Sequence, residues 1–180
     1  GMKMLEGGGQ AGDAAVAMAF VLNVVEPHLC GPLGDMPALV WPADADAPHV
    51  ICGQGVAPAR ATIDHYRAEG LALIPGSGLL STVVPGAFDA LMLMLRDHGR
   101  LTLRDVLEPA IYYAGQGHPM LASVAREIGD LAAVFRTDWP TSAPVWLPGG
   151  TFTRLIPPSM VGTSTSPPNA AVIIDTGTRQ

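Results

Sequence analysis

The stretch from Asp13 to Val25 restricts the fold more than any other. After its opening aspartate it holds only Ala, Val, Met, Phe, Leu and a single Asn, so a helix built from it is apolar around its circumference. Such a helix has to be surrounded by protein rather than lie on a surface. Ala14, Ala15, Ala17 and Ala19 keep it thin enough for a neighbouring backbone to come close, while Val16, Phe20 and Val24 supply bulk. Each large side chain buried there contributes roughly 1.5 to 3 kcal/mol. Pro27 sets the end, because the residue before a proline is pushed out of the helical region and proline has no amide to donate. The run falls short of the roughly 20 residues a bilayer span needs, and no basic flank of a signal peptide accompanies it.

Just upstream, Gly7-Gly8-Gly9-Gln10-Ala11-Gly12 fits G-x-G-x-x-G and leads into this helix, as a dinucleotide-binding turn would. That fingerprint needs a strand feeding the turn, and Met2 to Glu6 are helix formers without a β-branched residue. Met2 to Glu6 is therefore expected to be the tail of a helix that begins outside this chain, with Gly1 a cloning remnant. A dinucleotide-binding module stays as a lesser alternative.

Charge narrows the partners. A formal net charge of -6, with Lys and Arg totalling 10 and scattered, argues against nucleic acid or a membrane and leaves small molecules. With 48% hydrophobic residues over 180 positions there is material for one real core. Cys30 and Cys52 form neither a zinc set nor a disulfide framework and are expected to be ordinary small buried residues. Asp44, Asp46 and His49 invite a metal, but no further ligand follows at the right spacing, so a solvated hairpin tip is expected there. Neither a metal nor a cofactor is expected.

Along the chain, Leu39 to Trp41 and His49 to Cys52 read as a hairpin around the polar loop Pro42 to Pro48. Gly53 and Gly55 then mark a place where backbone comes close to a ligand or another segment. Thr62 caps a short helix, Ile63 to Glu69, that Gly70 ends. Leu79 to Val84 is a β-type run, and Ala87 to His98 a helix with Phe88, Leu91, Met92 and Leu95 inward. Gly99 closes that helix, Thr102 and Asp105 form a capping box, and Pro109 restarts a helix from Ala110 to Gly115. Leu121 to Phe135 is one amphipathic helix with Leu121, Val124, Ile128, Leu131 and Phe135 on one side. From Thr151 the clustered Pro, Ser and Thr predict a loose tail, with an edge strand available at Ala171 to Ile174.

Several of these blocks together resemble the gamma-glutamyltranspeptidase family of N-terminal-nucleophile hydrolases. Gly8-Gly9-Gln10-Ala11-Gly12-Asp13-Ala14-Ala15-Val16-Ala17 is similar to its Gly-Gly-Asn-Ala-x-Asp-Ala-Ala-x-Ala helix start, and Glu26-Pro27 through Asp35 to its Glu-Pro turn and glycine string. Ala57-Pro58-Ala59-Arg60-Ala61-Thr62, Val84-Pro85-Gly86, Gly99-Arg100-Leu101 and Glu108-Pro109-Ala110-Ile111 continue the match in order. The resemblance covers about Met4 to Gly149. It implies an α+β fold: a helix-rich portion, with a few strands, of a four-layer αββα sandwich. Residues 1–150 are then a partial large-subunit domain and 151–180 a divergent tail, the product of a shifted frame or a truncated gene.

What the resemblance implies for activity is a gamma-glutamyltransferase-like amide hydrolase or transferase, made as a precursor that cuts itself into a large and a small chain. A threonine exposed by the cut attacks the amide carbonyl of a γ-glutamyl or other acyl donor, of which glutathione is the usual one, with its own α-amine as base. The family carries that nucleophile in a Thr-Thr-His type motif, and none of the eleven threonines here has a threonine neighbour. No catalytic residue is therefore assigned, the chain alone is expected to be inactive, and its partner is the remainder of the precursor, the small subunit. The non-catalytic alternative is a folding or interaction domain.

One departure bears on the substrate. Where typical transpeptidases place an arginine for the glutamyl α-carboxylate, shortly before the Ala-Pro pair, this chain has Gly53-Gln54-Gly55-Val56. Gln54 is the substrate-binding candidate, and its neutral amide cannot supply the bidentate ion pair that arginine geometry suits. Arg60 lies beyond the Ala-Pro pair and is expected to be solvated. Gln10 stands where asparagine is usual, and Leu33 replaces a glycine-string position, which would be uncomfortable if φ there were positive. Nothing in these residues selects between bacterial periplasm and cytoplasm.

Overall fold

The computed structural model describes residues 1–147 and, beyond them, only the antiparallel backbone pairing of Arg154–Leu155 with Ile174–Asp175. The rest of the tail expected from Thr151 lies outside the described residues. Helix α1, Met2–Glu6, runs into the glycine turn, so no strand feeds Gly7 to Gly12 and the dinucleotide-binding alternative is overturned. Helix α2, Ala11–Val25, follows and ends at Glu26 as Pro27 requires. One face of α2 is closed by Asp13, Ala14, Val16, Ala17 and Phe20, while Met18 and Leu22 are 48% and 41% exposed. The expectation of burial on every side therefore holds for the inward face alone within the described residues.

Strands β1 (Met36–Val40) and β2 (His49–Gly53) form the expected hairpin, antiparallel, with Met36 opposite Gly53 and Val40 opposite His49. The first strand starts earlier than the apolar run suggests, and Trp41 lies outside it in the loop, its indole Nε1–H donating to the Ala45 carbonyl at 3.0 Å. Inward residues Met36, Ala38, Val40 and Ile51 pack on the helical core; outward, the cross-strand pair Leu39 and Val50 is 74% and 71% exposed. Leu33 has no positive φ, since among the described residues only glycines adopt it, so the anticipated strain is absent.

Helix α3 (Ile63–Ala68) carries its Thr62 cap, with the hydroxyl accepting from the His65 N–H at 3.2 Å. The β-type run at Leu79 to Val84 is not a strand. Leu79–Ser81 is a single 3₁₀ turn, closed by the Ser81 and Thr82 N–H groups donating back to the Gly78 and Leu79 carbonyls, and the run's one strand-like bond goes from the Val84 N–H to the Val56 carbonyl. Helix α4 spans Ala87–His98 as expected; Leu91 is buried and Met92 and Leu95 pack on the core as anticipated, but Ala87, Ala90 and Met94 complete the closed face in place of Phe88. Phe88 is 45% exposed and touches Phe20 edge-on, because the closest approach of α4 to the hairpin tolerates only small side chains.

Thr102 and Asp105 form the capping box of α5, which runs from Leu103 to Gln116 straight through Pro109. The proline was expected to restart the helix; instead the burial of Val106 and Ala110 against α2 holds the helix together despite the lost hydrogen bond. The single helix expected over Leu121 to Phe135 is two, α6 (Ala122–Asp130) and α7 (Ala132–Thr137), divided at Leu131 with φ -86 and ψ 4. Gly129 and Asp130 are poor helix formers, and the break lets Phe135 reach Trp139 and Trp146, at 5.6 and 6.4 Å between ring centroids. Leu121 is accordingly exposed, and a short α8 (Ala143–Trp146) completes this second small core.

Candidate functional site

Gln54 leaves the end of β2 on a ribbon pinned at both sides. A Cβ added at Gly53 would lie 2.5 Å from the Ala90 Cβ and 2.6 Å from the Met36 carbonyl oxygen, and one at Gly86 2.5 Å from the Gly53 oxygen. A Cβ at Gly55 would fall onto the Val84 carbonyl. Backbone thus meets backbone on either side of Gln54, at the start of α4, and the glycines are there because nothing larger fits. The Gln54 side chain itself is exposed, and its Oε1 accepts a weak bond from the Cys52 thiol at 3.9 Å. Cys52 is exposed and Cys30 half-buried, so neither is the small buried residue anticipated: Cys52 points away from the core on the outer hairpin face.

Arg60 is exposed beyond Pro58, on the wall of a shallow depression of about 150 Å3 shared with His65, Leu79 and Leu80. Tyr66 closes one side by donating its hydroxyl to the Leu80 carbonyl at 2.7 Å. Asp44 lies in the hairpin loop, and among the described residues no three His, Cys, Asp or Glu side chains gather as a metal would need.

The residue that sequence reasoning passed over is Asp13. It is fully buried at the start of α2, and its carboxylate accepts from the Gln10 N–H at 2.7 Å and from the Arg100 and Leu101 N–H groups at 3.0 Å each. Burial works to raise its pKa, but the combined amides of Gln10, Leu101 and Arg100 prevail, and the carboxyl is held below its usual range. The N-terminal position on α2 favours the same anionic form. Asp13 therefore ties the glycine turn, α2 and the α4–α5 link into one unit. An acidic residue three positions after the cap was the available signal. At the other end of α2, burial pushes the His118 imidazole down, opposed by the Val25 carbonyl and the Glu26 carboxylate, which His28 also approaches at 3.5 Å.

Residues 1–157 match the gamma-glutamyltranspeptidase family model. The chain belongs to that family. Among curated relatives, the glutathione hydrolase-like YwrD proenzyme of Bacillus subtilis is 41% identical over 70% of this chain and 24% of its own length. Among solved structures, that of LmbA2991HD is 55% identical with a TM-score of 0.81, covering 84% of this chain and 26% of that one. The cephalosporin acylase from Bacillus halodurans is 33% identical with a TM-score of 0.75, over 84% and 29% of the two chains. This gamma-glutamyltranspeptidase-family chain spans about a quarter of the length of these relatives. Its helix-rich α+β architecture is that of N-terminal-nucleophile hydrolases, and the family match runs past residue 150, at which the sequence pattern changes. Among the described residues no helix is long and apolar enough to cross a membrane.

Proposed function

We propose that this chain is the front of the large subunit of an amide hydrolase or acyltransferase whose acyl donor is not read by a glutamyl α-carboxylate ion pair. The carrying observation is Gln54: an exposed neutral amide on a ribbon fixed by Gly53 and Gly55, with no Lys or Arg between it and Arg60. In this reading the threonine nucleophile comes from the small subunit. Its hydroxyl adds to the donor carbonyl, the amine leaves with a proton, and water or an acceptor amine releases the acyl group.

The family contains both a glutathione hydrolase-like protein and a cephalosporin acylase, so more than one acyl group is compatible with its frame. An amide at position 54 can donate and accept single hydrogen bonds but adds no charge, which supports an uncharged or differently charged acyl end. The test is a precursor carrying this chain, assayed on γ-glutamyl and simple N-acyl anilides. Gln54→Arg is expected to raise the γ-glutamyl preference, as a ratio of kcat/KM values, by about tenfold or more. An unchanged ratio would remove Gln54 from the donor site. The chain by itself is expected to hydrolyse neither anilide, and turnover by the isolated chain would overturn the division of labour between subunits.

A further inference from the structure

We propose that the cleft between the hairpin tip and the start of α2 is a second ligand site, built for a planar aromatic ring that carries an anionic group. It lies at the Val40–His49 end of the hairpin, whereas Gln54 follows the Met36–Gly53 end, about 13 Å away along the strands at roughly 3.3 Å per residue. The cleft is half-open to solvent and has a volume of about 860 Å3, within the range of roughly 300 to 1,000 Å3 that small-molecule sites occupy.

Its walls divide by chemistry. Trp41 is 67% exposed yet held in place by its Nε1–H bond to Ala45, so a flat apolar surface stands ready at little entropic cost. On the same cleft the Arg100 backbone is fixed by Asp13, and with the Gln10 amide turned to the orientation its surroundings favour, its oxygen accepts from the Arg100 Nε and Nη2 at 2.9 Å each. Two of five guanidinium donors are thereby used, and the others remain for an anion. The His49 and His98 rings, 5.3 Å apart, add two more ring edges able to donate. Of the acidic groups on the cleft, Asp97 is already engaged by Arg96 through two bonds of 2.6 and 2.8 Å, and Asp44 sits on the exposed loop. Gly9 and Gly12 line the cleft, and α2 packs so closely there that a side chain at Gly12 would strike the His98 carbonyl. Stacking on Trp41 combined with charge pairing to Arg100 selects a ring bearing a carboxylate or a phosphate.

Calorimetric titration with indole-3-acetate and with adenosine monophosphate separates the two sources of that chemistry, and indole-3-acetamide is the neutral control. At least one acid is expected to bind tenfold or more tightly than the amide. Trp41→Ala and Arg100→Gln should each weaken that binding about tenfold, Arg100→Lys should retain most of it, and Gln54→Ala should leave it unchanged. Neither acid binding more tightly than the amide, or the tighter acid keeping wild-type affinity in Trp41→Ala or in Arg100→Gln, would overturn the site. Because Gln54 is silent in this experiment, its outcome is independent of the acyl-donor reading.

Discussion

Helix α2 meets its neighbours where side chains are missing, whereas α6 and α7 meet theirs through large ones. Around α2, Gly9, Gly12 and Gly99 let backbone approach backbone, and a buried carboxylate supplies the specificity. Around α7, Phe135 meets Trp139 edge-on and stacks with Trp146, in one cluster with Val124, Ile128 and Leu147. A contact made by glycines and an ionised aspartate tolerates no added atom and no lost acceptor. A contact made by aromatic and aliphatic rings depends on volume and tolerates rearrangement.

The largest test of this contrast is Asp13→Ala, which strands three part-buried N–H groups and empties a fully buried site, and should cost about 4 kcal/mol in urea denaturation. Its pH dependence follows from the lowered pKa. The stabilisation is complete above the ordinary carboxylate value of 3.8 and is lost as pH falls through the lower folded value, so wild type and Asp13→Asn should converge in acid. A constant gap between them from pH 7 to pH 2 would contradict the ionised form. Next comes Phe135→Ala, expected to cost about 3 kcal/mol through lost area and a residual cavity, with no such pH dependence. Gly12→Ala follows, at about 2 kcal/mol, because its methyl group has to displace the His98 carbonyl; a neutral result in thermal melts would show the two helices free to separate. The smallest effect has the opposite sign. Pro109→Ala should stabilise by about 1 kcal/mol, since α5 already runs through that position and regains a donor.

Much of the local structure was legible because its signals act within a few residues. Thr62 and Thr102 cap helices where their spacing predicts, Pro27 ends α2, and the polar loop of Pro42 to Pro48 turns the hairpin. The readings that failed each required knowledge of a distant partner. Leu79 to Val84 has β-type composition but bonds to the segment after β2 only through Val84 and Val56. Pro109 has the signature of a helix start but lies in a helix supported by its packing on α2. Leu131 continues a helical period that the aromatic cluster interrupts. At the candidate site, Gln54 could be named from its place before the Ala-Pro pair, while the ribbon that fixes it depends on Gly86 and Val84, far along the chain.

By itself the sequence determined most of the capped and proline-bounded helix ends and which family frame the chain belongs to, since caps, prolines and glycine order are local chemistry written in the chain. Tertiary structure alone decided what Asp13 does. Its N-terminal position on α2 predicts a helix-start acid, but only the fold brings the Arg100 and Leu101 amides to the same carboxylate. It also decided that the glycine turn faces a cleft with Trp41 and Arg100 rather than a nucleotide-binding strand. The physical reason is shared: these arrangements rest on groups far apart in the chain, which no local propensity encodes.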